Sequence, residues 1–456
     1  MPDSPAQDRI AQDRIAQDRT DWNALIGDVV AGRWTDPETG RPARVPFETI
    51  VLAESIAGQE ADLIAPLALG SRIAVVSDAN TVEVMGRRVA HALSTIATVD
   101  EVVFPAGISC DEATIAEAGE RTRHADGVVA VGSGVVNDVC KYATFRDKRR
   151  YAVFGTAASM NGYCSSTASV TLASGLKASL PAHAPRGIFL DLHVSAAAPS
   201  RLSAAGLGDS LCRPTAQVDW WVSHRLLGTS YSRTPYALQE VDEPAMLRSA
   251  AGLARGDLTS VGVLQRVLTL SSVGVCFTGT SHSGSMGEHQ VSHWFDMFAG
   301  DAHPGSLHGH QVGVASLVLA RLQHRILAMP EPPHVMPTRL DEADLRVRYG
   351  GLADLCLATA RASALDAAGA EALNTRLATI WPDLKRETRP MLLPEETMRA
   401  ALMAAGGPTT ARELGTDVTI WREAVRHACE IRNRWSFLNL ARDAGLLEAF
   451  IAEEVQ

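Results

Sequence analysis

The chain lacks the cysteine pattern of a disulfide or zinc-thiolate framework. Its seven cysteines are odd in number, scattered from Cys110 to Cys429, and include no C-x-x-C pair. That usage fits reduced thiols in a cytoplasm. No run reads as the ~18 consecutive apolar residues of a membrane helix, and the N-terminus carries no apolar stretch of the secretory kind. Membrane attachment is not expected. A basic surplus is missing as well: 42 Lys and Arg stand against 52 Asp and Glu, for a net charge of −10. The one compact basic run, Arg146 to Arg150, reads as a solvated helix end. Nucleic-acid binding, which needs concentrated positive charge to displace counterions, is not expected either. Aromatic residues make up only 5%, yet 46% of the 456 residues are hydrophobic, enough for substantial packed cores and too many for a disordered chain.

What is present begins with a repeat. Residues 6–20 read AQDRI-AQDRI-AQDRT, and a period of five fits neither a packed helix nor a strand. A mobile extension over residues 1–21, without a catalytic role, is expected. Beyond it, short β-branched runs alternate with helical spacing. Strand candidates are Arg72–Ser77, Glu101–Phe104, Gly127–Val131, Tyr151–Phe154 and Gly187–Leu190, with helical segments such as Thr81–Leu93 and Asp111–Arg123 between them. Continuous apolar strands separated by helices predict a parallel sheet covered on both faces. After Pro199 strand signals nearly vanish. The expected fold is therefore an α/β domain over 22–199 followed by an all-helical domain over 200–456. Ligands of such sheets sit beyond the carboxyl ends of the strands, so the site is expected in the cleft joining the two.

Three segments carry chemistry. Strand Gly127–Val131 runs into Gly132-Ser133-Gly134-Val135-Val136-Asn137-Asp138-Val139-Cys140-Lys141. Two glycines at a strand-to-helix turn let main-chain N–H groups approach a phosphate, although Asn137 stands where the dinucleotide fingerprint has a third glycine. A tight turn alone would also account for them. The second segment, Thr156 to Ser166 after strand Tyr151–Phe154, is rich in hydroxyls and small residues. That composition suits a ligand over the sheet edge and equally suits ordinary turns. Asp78, ending strand Arg72–Ser77, is either a ligand contact or a helix cap. Lys177, in the hairpin-like stretch Ser174 to Ala182, is either a cation for a substrate or a surface turn residue.

The third segment lies in the helical half. Six histidines fall between His282 and His310, and His289 and His293 form an i, i+4 pair on one helix face. Asp209, in Gly206-Leu207-Gly208-Asp209, opens a helix upstream, and His308 follows in Leu307-His308-Gly309-His310. One carboxylate and two imidazoles suit Zn²⁺ or Fe²⁺, and three protein ligands leave a coordination position open for substrate.

These segments resemble one family. G-S-G-V-V-N-D-V-C-K is similar to the G-G-G-x-x-x-D-x-x-K loop of the iron-containing alcohol dehydrogenase and dehydroquinate-synthase-like superfamily. T-A-A-S-M-N-G-Y-C-S-S resembles the T-A-P-S-M-D-G-Y-x-S-S stretch of the sn-glycerol-1-phosphate dehydrogenases. G-L-G-D, S-G-S-M-G-E-H-Q-V-S-H, L-H-G-H-Q-V-G and the late I-R-N-R-W-S-F-L match that family in order, so the resemblance runs from about residue 46 to 440. It implies an NAD(P)-binding domain followed by a metal-binding domain, and a small phosphorylated ketone or alcohol as substrate. Gly132, Ser133, Gly134, Asp138, Lys141, Thr156, Ser159 and Ser165 would meet NAD or NADP, with Asp78 on the adenine ribose. Asp209, His289 and His308 would hold one divalent metal, zinc in preference to iron. Asn161, Lys177, Asp209 and His293 would face the substrate, with His293 and Asn161 the catalytic candidates. Asn161 replaces a family aspartate, which loses a charge and gains a donor. The implied activity is reversible reduction of dihydroxyacetone phosphate to sn-glycerol 1-phosphate by a cytoplasmic homo-oligomer. A polyol or sugar dehydrogenase on the same scaffold, or a dehydroquinate-synthase-like cyclase, stays open as an alternative.

Overall fold

The computed structural model describes residues 22–455, so the AQDRI repeat and the rest of the expected 1–21 extension lie outside the described residues. The chain groups into two units. The first takes in the chain up to Ala173, Ala178–Gly206 and Arg233–Gly279; the second takes in Ser174–Lys177, Leu207–Ser232 and Thr280 onward.

The first unit is built on parallel strands β1 (Thr49–Ala53), β2 (Arg72–Asp78), β3 (Thr98–Phe104), β4 (Gly127–Gly132) and β5 (Arg150–Gly155). A separate two-stranded sheet, β6 (Thr167–Thr171) with β7 (Lys177–Pro181), precedes β8 (Gly187–Asp191), which returns to the main sheet. The six-stranded order is β1-β8-β5-β4-β2-β3, parallel throughout. Every residue of β4 and β8 is buried, because runs such as GVVAVG and GIFLD are covered on both faces. The five strands read from the sequence are all present. β1, an apolar TIVLA at the sheet edge, and β6, with its polar TASVT, lie outside that set, and burial alternates along both.

Topology places the ligand end of this sheet. The chain leaves β2 towards β3 on one side and leaves β4 towards β5 on the other. Such a reversal opens a crevice at the carboxyl ends of the two diverging strands. Asp78 ends β2 and Gly132 ends β4, and the Thr81 hydroxyl donates to the Val131 carbonyl across the gap at 3.0 Å.

One helix is more apolar than inspection of the sequence suggests. Helix Leu258–Thr278 has 21 residues and a mean hydropathy of 1.4, long and apolar enough by length and composition to cross a membrane. Gln265, Arg266, Thr269, Ser271 and Ser272 interrupt it and hide its apolar character from inspection. In the fold it is a core helix: Leu270 and Val273 share one apolar cluster with Val128, Ala130 and Val153 of the sheet. That packing also explains why Arg233–Gly279 belongs to the first unit, so the units do not part at a single point near residue 200.

The second unit is helical, with no strand after β8 among the described residues. Its core gathers Phe295, Leu319, Leu322, Trp381, Trp421 and Phe437 from helices far apart in sequence.

Candidate functional site

Small residues bring the donor side chains of the second unit together. Asp209 lies near the end of helix Ser200–Ser210, just after Gly208, where a Cβ would stand 2.2 Å from the Gly309 carbonyl oxygen. A Cβ on Gly313 would stand 3.1 Å from the Gly208 Cα. The three glycines thus let this helix meet helix His308–Leu327 backbone to backbone. His289 lies in the first turn of helix Gly287–Phe298, whose opening residue must also be small. Its N–H donates to Asp219 Oδ2 at 3.1 Å, and a Cβ there would come within 2.8 Å of the same oxygen. Asp219 is fully buried, and its other oxygen accepts from Gln323 Nε2 and the Phe437 N–H, each at 3.0 Å. Burial and neighbouring Glu288 push its carboxyl up to about 7.

The result is a compact donor set. Asp209, His289 and His308 each bring a ligand atom to within 4.8 Å of the others. Nε2 of His289 is 3.6 Å from Asp209 Oδ1, close to the ~3.4 Å between donors on a tetrahedral zinc with bonds near 2.05 Å. The His289 and His308 rings lie 5.2 Å apart, and His293 joins them at 6.1 and 5.6 Å.

Hydrogen bonds on the far side of both imidazoles test whether a metal fits. Nδ1 of His289 is 2.9 Å from Oε1 of the fully buried Glu288. Nδ1 of His308 is 3.0 Å from the Ser292 hydroxyl, which donates onward to Gln311 Oε1 at 2.7 Å. A carboxylate can only accept, and a hydroxyl already donating elsewhere must accept, so both Nδ1 atoms carry the proton and both Nε2 atoms keep a lone pair. That is the ligating tautomer. Burial, with Lys177 next, pushes His308 down to about 4, the neutral form that binds metal. Burial and then Arg432 push His293 well down. For His289 burial acts downward too, but the Asp209 and Glu288 carboxylates outweigh it and its pKa is raised. Cys212, Glu288 and His289 also approach one another within 4.8 Å, but Glu288 Oε1 already accepts from the Met286 N–H and from His289, and the Cys212 thiol donates to the Gly284 carbonyl. The Asp209 set is the one prepared for a cation.

Gln311 extends the network. Its Nε2 reaches Asp296 Oδ1 at 2.9 Å, and Asp296 is ion-paired with Lys177 and contacts His303 Nε2 at 3.0 Å. Lys177, expected to present a cation to a substrate, is paired with Asp296 in this structure.

In the first unit the two loops meet. Ser133 stands just before helix Gly134–Asp147, and its hydroxyl, rather than capping the helix, lies 2.7 Å from that of Ser159. Gly132 is required by packing, since a Cβ would stand 2.7 Å from the Val136 Cβ. The Thr156 N–H donates to the Gly132 carbonyl at 3.2 Å. Lys141 and Asp138, both expected at the cofactor, are bonded within the protein. Lys141 is fully buried, and its ammonium meets Asp138 Oδ1, the Gly162 and Thr167 carbonyls and the Ser165 hydroxyl at 3.0–3.1 Å. Its three protons are shared among four protein acceptors, the Ser165 hydroxyl among them. Asp138 Oδ2 accepts the Ser169 N–H. These three residues hold the second loop against the helix. Asp78 Oδ1 accepts from the N–H groups of Asn80 and Thr81 and from the Thr81 hydroxyl, the capping arrangement. Asn161 Nδ2 points to the Ser271 hydroxyl at 3.4 Å.

Comparison with known proteins follows the same lines. The family profile described as iron-containing alcohol dehydrogenase matches residues 51–199. A glycerol-1-phosphate dehydrogenase [NAD(P)+] of Methanoculleus marisnigri is 33% identical over 250 residues, 55% of this chain and 69% of that protein. Its Bacillus velezensis namesake is 28% identical over 386 residues, covering 82% of this chain and 86% of the relative. Among solved structures, glycerol dehydrogenase from Schizosaccharomyces pombe superposes with a TM-score of 0.59 at 16% identity, covering 90% of each chain. A 1,3-propanediol oxidoreductase gives 0.59 at 14% identity, over 89% of this chain and 98% of that one.

Proposed function

The chain belongs to the glycerol-1-phosphate dehydrogenase family of the iron-containing alcohol dehydrogenases, and from that membership we propose that it reversibly reduces dihydroxyacetone phosphate to sn-glycerol 1-phosphate with NAD(P)H. The observation that carries the reading is the Asp209–His289–His308 cluster with both imidazoles held in the ligating tautomer. We assign zinc to it; iron is the other metal these donors suit. When bound, the metal supplies Lewis-acid polarisation of a carbonyl and the nicotinamide supplies hydride.

The chain's own residues do the rest. Asp209 contributes the negative charge of the donor set, while Glu288 and Ser292 hold the two imidazoles in register. His293, on the same helix face as His289, offers a ring N–H to the substrate oxygen that gains the proton. Ser133, Gly134, Thr156 and Ser159 receive the cofactor at the mouth of the sheet, with Asp78 on its ribose. Asn161 presents an uncharged amide, donor and acceptor both, to a substrate hydroxyl.

The test is oxidation of NADH and NADPH by zinc-loaded protein, with dihydroxyacetone phosphate set against dihydroxyacetone. Turnover of the phosphate ester that a chelator abolishes is expected. Turnover of the unphosphorylated ketone alone would overturn the substrate and favour the polyol dehydrogenase that Asn161 leaves open.

A further inference from the structure

Charge is left over beside the donor cluster. The stretch Ile431-Arg432-Asn433-Arg434 lies between a short helical turn at Ala428–Glu430 and helix Phe437–Asp443. Its backbone is fixed by the neighbour of His289: Gln290 Nε2 donates to the Arg432 carbonyl at 3.2 Å and to the Arg434 carbonyl at 2.9 Å. Both guanidinium groups are partly buried. Arg434 donates to the Ser285 carbonyl and to the Ser281 hydroxyl at 2.8 Å, and Arg432 donates to the Ser285 hydroxyl at 3.3 Å.

Among the described residues neither arginine has a carboxylate at ion-pair distance. Other arginines with little exposure do: Arg225 with Glu387, Arg266 with Asp242, Arg321 with Glu395, Arg348 with Glu430 and Arg442 with Asp443. That is the rule for charges withdrawn from water, and Arg432 and Arg434 break it side by side. Burial, and for Arg434 the neighbouring Arg432 charge, push both guanidinium pKa values down, so the pair is held at a cost. Glu288 offsets that cost only in part, being at no ion-pair distance and bonded to His289 and Met286, and Asp296 is taken by Lys177 and His303. Gln290 directly follows the donor His289 on its helix, so its two bonds to this stretch hold the arginines beside the donor cluster. Arg432 has five N–H donors, and one of them is used within the protein.

We propose that Arg432 and Arg434 form an anion subsite that takes the phosphate group of the substrate. Two adjacent guanidinium forks match the oxygens of a phosphate monoester, and a dianion supplies the charge the fold omits. The subsite rests on the phosphorylated-ketone reading above and replaces Lys177, whose charge Asp296 takes. Arg434 also braces the Ser281–Ser285 loop, so Arg432, with its one long bond, is the residue to change first.

The experiment measures Arg432→Met, Arg432→Lys and Arg434→Met against wild type in two ways. One is kcat/KM for dihydroxyacetone phosphate divided by that for dihydroxyacetone. The other is calorimetric binding of inorganic phosphate to the zinc-loaded protein. Losing one side of a desolvated charge pair should lower the ratio by about 30-fold or more. The loss should appear in KM more than in kcat, phosphate binding should vanish, and lysine should restore part of both. Zinc content checks that the loop has kept its shape; if Arg434→Met loses zinc, Arg432→Met decides. A wild type that prefers the phosphate ester while Arg432→Met keeps the same ratio and the same phosphate affinity would overturn the subsite and leave the substrate standing. A wild type without that preference would overturn both.

Discussion

Replacing Glu288 with glutamine isolates one contact behind the donor cluster. Oε1 lies 2.9 Å from Nδ1 of His289 and takes the Met286 N–H at 2.7 Å, with no exposed surface on the side chain. Glutamine keeps the volume, and its amide oxygen can still serve one of the two donors. It loses the charge that makes His289 a more basic ligand and that fixes its proton on Nδ1. Partners of this kind are worth about 10- to 100-fold in metal affinity, or about 1.4 to 2.8 kcal/mol at 1.4 per decade. Because the acceptor is ionised and buried, its bond belongs to the strong class, and the expected loss is near the upper end, about 100-fold. The assay is competition for zinc against a chromogenic chelator, with thermal melting to confirm that the variant is folded. A folded Glu288→Gln protein that binds zinc as tightly as wild type would refute the argument that Glu288 prepares His289 for metal.

Three further outcomes are expected. Asp209→Asn should remove zinc and turnover together while NADH binding, followed by fluorescence, survives in the first unit; full turnover by the metal-free variant would refute the ligand assignment. Arg88→Met should lower the unfolding midpoint, since Arg88 pairs with both Glu60 and Asp191, carboxylates that are 1% exposed. Stranding buried partners costs about 3–5 kcal/mol, and because Asp191 keeps the Ile56 and Val194 N–H groups, the lower end applies; an unchanged midpoint would refute it. Glu430 is pushed up by burial, but His427, Tyr349 and Arg348 outweigh that and leave its pKa below the usual 4.5. A depressed carboxyl stabilises the fold above its unfolded pKa and loses that contribution as pH falls through the folded value. Glu430→Gln should therefore flatten the acid limb of stability below about pH 4.5, read from urea midpoints against pH; an equally steep limb would count against the pairing.

The fold was legible wherever one face of local pattern decided it. β2 to β5 and β8 announce themselves because strands covered on both sides need unbroken apolar runs. β1 and β6 do not, because each is buried on alternate residues only, and their place depends on partners far away in sequence. The same limit hides the division into units. Nothing local in Leu258–Thr278 says that Leu270 and Val273 pack beneath the sheet rather than among the helices that surround them in sequence.

The candidate site shows a finer version of that limit. Asp209, His289 and His308 can be picked out because carboxylate and imidazole are the residue types a metal needs, and glycines beside them mark close backbone approach. Glu288, Ser292 and Gln311 sit inside the same motifs, yet a glutamate, a serine and a glutamine carry no signature of their own. Their work becomes visible only when two helices are laid together and Ser292 is found between His308 and Gln311. Lys141 shows the converse. A lysine following a glycine loop suggests a phosphate contact, and only the count of its acceptors shows that the fold has already used all three of its protons. Arg432 and Arg434 reverse that arithmetic: the sequence offers two ordinary basic residues, and the structure leaves them as cations with no carboxylate at ion-pair distance among the described residues. Ligand-facing charge is thus found by subtraction, from what remains once every internal partner has been counted.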